Sequence, residues 1–290
     1  MELPLSRLLF ALLFSAYLAR RSIKNKSLSK SGAVAGVLVG FISFIVGFRY
    51  GATLVAFYLS SSKLTKYKAS VKKTIEAEFK EGGQRNWIQV FANSLVGTVL
   101  AISIAVRTGG RDPFFDARSD PITTALLGGY LGFYAACIGD TWSSELGILS
   151  TGNPRLVTTL KVVPKGTNGG VSGVGTAASV AGGLFLGVIF YGVGLLTTGG
   201  FGQADGAGAE QWKAVPVAAW AGLAGSLVDS LLGATLQYSG LDGKLKKVVQ
   251  HPGPGVTQIT GLHLLNNEGV NFVASATTAA LTAGLSLLVF

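Results

Sequence analysis

The sequence predicts an all-α integral membrane protein: a polytopic helical bundle of about eight transmembrane helices, forming a single domain over residues 1–290. Three observations predict it. Mean hydropathy is +0.48 and only 13% of residues are charged, where a soluble domain carries about 25%. Apolar runs alternate with charged segments along the whole chain. The 41 glycines fall mostly inside the apolar runs, as between Gly32 and Gly40, where small residues let helices approach closely in lipid.

A spanning helix needs about 20 apolar residues. The runs that qualify, in chain order, are Leu3–Ala19, Gly32–Phe48, Tyr50–Ser62, Trp87–Val106, Ile122–Ile138, Val174–Thr197, Ala214–Leu232 and Asn271–Phe290. The first reads as a retained anchor, because no small-residue cleavage site precedes the basic run that follows. The third is the shortest. A faint internal echo exists: Asp140-Thr141 ends the fifth run and Asp229-Ser230 ends the seventh, as duplicated halves do in some transporters.

Charge sorts by side. The net charge is +10, and most of the 24 lysines and arginines fall in four segments: Arg20–Lys30, Lys63–Asn86, Gly139–Gly170 and Gly233–Val270. With eight spans these share one side, which the positive-inside rule makes cytosolic. The excess charge is therefore topological and gives a nucleic-acid partner little support. Between Lys63 and Gln84, Lys66, Lys72, Lys73 and Lys80 interleave with Val71, Ile75 and Phe79. This reads as an amphipathic basic helix on anionic membrane lipids, with a lid over the site as the alternative.

One cysteine, Cys137, excludes an internal disulfide, and His251 and His263 sit in a polar segment. Without a Cys or His cluster a zinc or iron site has no basis; a metal here would be a hard cation held by oxygens. Asp140 and Ser144 are four residues apart and share a helical face. Glu145 falls off that face unless the helix unwinds near Gly147. Asp229 is sharper, because it follows the apolar stretch Ala218–Gly225 inside a span, where an ionisable group costs about 3 kcal/mol. With Asp140, and with Glu145 as a further candidate ligand, it predicts a Mg²⁺ site.

The third constellation is Lys161 to Gly173, just before the sixth run. Lys161 and Lys165 bring charge, and Gly166, Thr167, Asn168, Gly169, Gly170 and Ser172 form a glycine-rich turn. Backbone amides there, with the helix N-terminus that follows, suit phosphate. The spacing is not that of a Walker loop. Asn93 and Ser94 add polar groups inside the fourth run. Metal, phosphate clamps and positioning are what phosphoryl transfer requires; a Ser-His-Asp arrangement is absent.

On these strings the chain resembles the transmembrane protein 19 family, which includes the plant phytyl-phosphate kinase. The resemblance rests on Ser31-Gly32-Ala33, Ser60–Lys66, Lys80–Trp87, Gly139–Glu145, Pro154-Arg155-Leu156, Pro164–Val171, Gly225–Ser230 and Gly233–Tyr238. It implies a membrane kinase that uses a nucleoside triphosphate, with CTP favoured, to convert an isoprenyl monophosphate (phytyl, geranylgeranyl or farnesyl) into the diphosphate. Gly139-Asp140, Gly147, Lys165 and Gly169–Ser172 are also similar to the layout of the CTP-dependent dolichol and phytol kinases, with Thr167-Asn168-Gly169-Gly170 as a departure. In that reading Asp140 and Asp229, with Glu145, hold Mg²⁺. Lys161, Lys165, Ser144 and the Gly166–Gly173 turn hold the nucleotide phosphates. Arg85 or Arg155, with Asn93, receives the acceptor phosphate. The expected setting is the endoplasmic reticulum or another endomembrane rather than the plastid, with the site facing the cytosol. A homodimer is compatible with the sequence. The alternative function is a transporter of a small anion or phosphorylated lipid.

Overall fold

The computed structural model describes residues 4–75, 77, 79, 81–198 and 206–290. Its helices are α1 (Leu5–Lys24), α2 (Lys30–Val46), α3 (Phe48–Lys66), α4 (Ala69–Ile75), α5 (Trp87–Ala92), α6 (Leu95–Thr108), α7 (Pro121–Gly147), α8 (Gly173–Thr198), α9 (Ala214–Leu236) and α10 (Asn267–Val289). Leu3 and Lys80, at the start of the first predicted run and in the amphipathic segment, lie outside the described residues.

Helix α7 is the axis. It is the longest at 27 residues, and its apolar window is 83% buried against 33% for those of α8, α9 and α10. Helices α8, α9 and α10 pack around it, with α6 and α3 completing the ring. Asp120 starts it as an N-cap, accepting from the Thr123 amide at 3.1 Å, with Pro121 at the first position, where a missing N–H costs nothing. Small residues then set the crossings. A Cβ on Gly139 would lie 2.4 Å from the Gly222 carbonyl oxygen, so only glycine allows α7 and α9 to meet there.

Among the described residues, α7, α8, α9 and α10 are long and apolar enough to cross a membrane, and α2 and α6 are shorter apolar helices. Helices α1 and α3 have the length but carry Arg21, Lys24, Lys63 and Lys66 in their last turns. Length and composition thus support four spans where the sequence predicts eight.

Other expectations are corrected. The predicted continuous helix Trp87–Val106 breaks at Asn93-Ser94. Asn93 Nδ2 donates to the Gln89 carbonyl (3.0 Å) and Ser94 Oγ to that of Val90 (2.7 Å), so side chains compete with the helix ladder. The fifth run does not stop at Ile138: α7 runs on to Gly147, carrying Asp140, Ser144 and Glu145 on regular helix. Among the described residues, the amphipathic segment holds the end of α3, the short α4 and a 3₁₀ turn at Glu81–Gly83. The fold is mostly helical, with two small antiparallel sheets. One pairs β1 (Arg155–Leu156) with β2 (Gly170–Val171). The other joins β3 (Ser239–Asp242), β4 (Lys247–Val249) and β5 (Val256–Thr260) in the order β4-β3-β5.

Candidate functional site

All four basic segments reach one end of the bundle, where they rim a cavity of about 540 Å³. Its polar wall comes from the last two turns of α7, the last two turns of α9, the Pro164–Ser172 turn and the start of α10. The Gly139–Gly222 crossing sits directly beneath it. That close approach brings Asp140 and Asp229 into hydrogen-bonding contact, although they lie 89 positions apart in the chain. Both carboxylates face the cavity. In the amide orientation that satisfies both its ends, Asn271 Nδ2 donates to Asp229 Oδ2 (3.3 Å) and to the Asn267 carbonyl (3.0 Å). Two carboxylates this close hold between them either a shared proton or a shared cation.

Glu145 lines the same cavity but turns away from the pair. Its Oε2 accepts from Lys72 Nζ at 2.5 Å. Among the described residues no group of three His, Cys, Asp or Glu side chains is arranged to hold a metal, so the oxygen site comprises two aspartates and an asparagine amide. Lys72 is 1% exposed and also donates to the Leu64 (2.7 Å) and Thr65 (3.3 Å) carbonyls at the C-terminal end of α3. A cation there is favoured by the helix dipole. The residue expected among lipid headgroups is thus buried and pins α4 to α7. No periodicity marks it, because its partner lies 73 residues away.

Arg85 reaches the cavity from a backbone that is stitched down. Its amide donates to the Ser27 carbonyl (3.1 Å), and its carbonyl accepts from the Ser29 amide (2.9 Å). A Cβ on Gly32 would lie 2.2 Å from that carbonyl oxygen. Its guanidinium donates to Ser62 Oγ (3.0 Å) and Thr65 Oγ1 (3.5 Å). Three separate strings, around Ser31-Gly32, Ser60–Lys66 and Gln84-Arg85-Asn86, therefore meet at one arginine. Burial pulls this guanidinium below its usual range, opposed by Tyr58 and Glu145 nearby. Asn93 lines the cavity beside it.

The glycine-rich turn also faces the cavity, from Lys165 through Gly170 to Ser172. Lys165 Nζ donates to the Ser150 carbonyl. Gly169 has φ +74° and sits against Ala234 and the Ser230 carbonyl, so the turn docks on α9 beside Asp229. The amides of Thr167 and Gly170 close local turns onto Pro164 and Thr167, and that of Asn168 donates to Ser239 Oγ. Asn168 Nδ2 donates to the Tyr238 carbonyl and to Gln250 Oε1. Much of the predicted amide nest is therefore bonded within the protein, and Asn168 ties the turn to the three-stranded sheet. Ser172 caps α8, accepting from the Gly175 amide at 3.1 Å, and Ser144 opens onto the same space. Lys161 and Arg155 are not brought in: both are exposed on the outer side of the small hairpin, where Arg155 donates to the Leu160 carbonyl.

A groove for the isoprenyl tail between glycine-packed spans was expected from the sequence, but not which spans form it; the structure has the opposite arm of the cavity there. It descends from Arg85 between α1, α2 and α3, past Tyr58, Ala19 and Leu54 to Phe44. Polar head and apolar arm form one continuous space.

The integral membrane protein family known as DUF92 matches residues 13–279. Protein PGR of Arabidopsis thaliana is 49% identical over 287 residues, 99% of each chain. An uncharacterised membrane protein of Methanocaldococcus jannaschii is 31% identical over 93% of this chain and 91% of its own. Protein VTE6, chloroplastic, of A. thaliana is 29% identical over 55% of this chain and 45% of its own. No solved structure matches. An aspartate pair held by crossing glycines in a mostly helical bundle is thus the core of a multi-pass membrane protein, and the chain belongs to the DUF92 family.

Proposed function

We propose that this protein is a membrane kinase that phosphorylates an isoprenyl monophosphate to the diphosphate, with CTP as donor and Mg²⁺ as cofactor. The observation that carries the reading is the single cavity that joins an aspartate pair to an apolar arm, with Arg85 at the junction. An amphiphile with an anionic head and a hydrocarbon tail matches that space. The family resemblance in the sequence points the same way.

Asp140 and Asp229 fit a hard divalent cation, being two carboxylates in contact beside the Asn271 amide. Mg²⁺ bound there would neutralise charge on the transferring phosphoryl group. Lys165 and the N-terminus of α8 face the same side and suit the nucleotide phosphates. Arg85 would orient the acceptor phosphate, whose oxygen bonds to the γ-phosphorus as the β–γ bridge breaks and the nucleoside diphosphate leaves. The basic rim supports a cavity mouth on the nucleotide-containing side, by the positive-inside rule. One relative is named chloroplastic, which does not favour the endoplasmic reticulum; the proposal is a multi-pass membrane enzyme without a fixed organelle.

Purified protein with Mg²⁺, CTP and geranylgeranyl, phytyl or farnesyl phosphate should yield diphosphate and CDP in equal amounts. Absence of diphosphate with every acceptor and nucleotide, together with flux of phosphorylated lipid or anion in liposomes, would establish the transporter reading instead.

A further inference from the structure

We infer that Phe44 closes the apolar arm and sets the length of isoprenoid chain that the protein accepts. The inference rests on the kinase reading for the identity of the head group, and on the cavity alone for the tail.

The arm has a direction. Helix α2 begins against the Arg85 backbone at Gly32 and ends at Val46, so each turn of α2 leads farther from the phosphate end. Gly36, Val39, Gly40 and Phe44 line the arm in that order. Ser15 and Ala19 line it from α1, which runs the opposite way. The small residues keep the passage open, and Val39, Ala19 and Ser15 are buried.

The far end is blocked by aromatic rings. Phe44 is 5% exposed. Phe10 and Phe14 each meet its ring edge-on with centroids 5.4 Å away, and Phe48 lies at 6.2 Å. This cluster backs Phe44. From Gly32 to Phe44 is twelve helical residues, or about 18 Å at 1.5 Å per residue. An extended chain covers about 3.5 Å in three bonds, so a four-bond isoprene repeat covers between about 4 and 5 Å. The arm therefore holds about four repeats before the chain meets Phe44. Replacing Phe44 by Ala removes a six-carbon ring and leaves room for about one more five-carbon unit, stopped next by Phe10 and Phe14.

The test is binding of isoprenyl monophosphates of two to six repeats to the detergent-purified full chain, without nucleotide, read by native mass spectrometry. Turnover with Mg²⁺ and CTP is measured separately on the same series. Wild-type affinity should rise with each repeat and drop beyond about four. Phe44→Ala should move the drop outward by one repeat, with a gain of about tenfold or more for that acceptor. Val39→Phe, about 7.5 Å nearer the head, should move it inward by one or two repeats while the shortest acceptor still binds, which shows that the fold is kept. An unshifted length profile in both variants, or no binding by wild type, overturns the inference. Shifted binding with no diphosphate formed would remove the kinase reading and leave the ruler standing.

Discussion

The two ends of the bundle treat charge in opposite ways. At the end away from the cavity mouth, Arg49 on α3 meets Asp112 at 3.1 Å. Thr197 also donates to Asp112, Arg49 donates to the Pro113 carbonyl at 3.2 Å, and the guanidinium stacks over the Phe190 ring at 4.9 Å. The adjoining void is only about 10 Å³. At the other end, two carboxyl groups in hydrogen-bonding contact face about 540 Å³ of open space. An opposite pair in a closed pocket neutralises its own charge and holds helices together. A carboxyl pair beside a void can exchange its shared proton for a cation. The first pair closes on itself, and the second leaves room for the ligand proposed above.

Breaking the closed end should give the largest effect. Arg49→Met strands Asp112, which is 12% exposed, and removing one partner of a buried pair costs about 3–5 kcal/mol. A fall in thermal midpoint with wild-type turnover per folded molecule at low temperature is the expected result, measured by melting and assay on the same preparation. At the open end, Mg²⁺ should stabilise wild type by about 2.7 kcal/mol at a hundred times its dissociation constant. Asp140→Asn should abolish that increment without lowering the metal-free midpoint; if the increment survives, the cation binds elsewhere.

A smaller change sharpens how the open end is assembled. Gly139→Ala forces α7 from α9, since its Cβ meets the Gly222 carbonyl. Overpacking of this kind costs about 1–3 kcal/mol, and turnover should fall although both aspartates remain. The smallest effect is at the closed end's rim. Asp120, exposed, accepts from the Thr123 hydroxyl and amide and pairs with Arg107 at 3.0 Å, which pulls its carboxyl down to about 2. Unfolded, it titrates near about 3.9, so the unfolded chain binds more protons between these values. The stability this cap confers is complete above pH ~4 and is lost as pH falls toward 2. The melting difference between wild type and Asp120→Ala should shrink over that window and be flat above it.

What was legible in the sequence divides along physical lines. Apolar runs place the long helices because burial in lipid is a property of local composition. The Asp140–Asp229 meeting was foreseeable because a carboxylate inside an apolar run needs a reason to be there. Other features depend on partners far away in the chain. Lys72 reads as a surface lysine until Glu145 and the end of α3 are placed beside it. The break at Asn93 hinges on which side-chain hydrogen bonds win over a helix that remains apolar on either side. Strands β3 to β5 are short and polar, and they form where Asn168 and Thr260 fasten them to the turn and to α9. Lys161 and Arg155 share the charge of Lys165 and Arg85, but both lie exposed beside the small β1–β2 hairpin. The arm leading to Phe44 is a space between three helices, and no single segment records a space.

The most direct measurement is turnover of an isoprenyl monophosphate by wild type and Asp229→Asn in parallel, in Mg²⁺ and CTP, with both proteins shown to melt alike. Wild type should form diphosphate and CDP in a one-to-one ratio, and Asp229→Asn should be slower by about 10²–10³-fold. Equal rates in the two proteins, or no diphosphate from wild type with any nucleotide, would contradict a catalytic role for the aspartate pair.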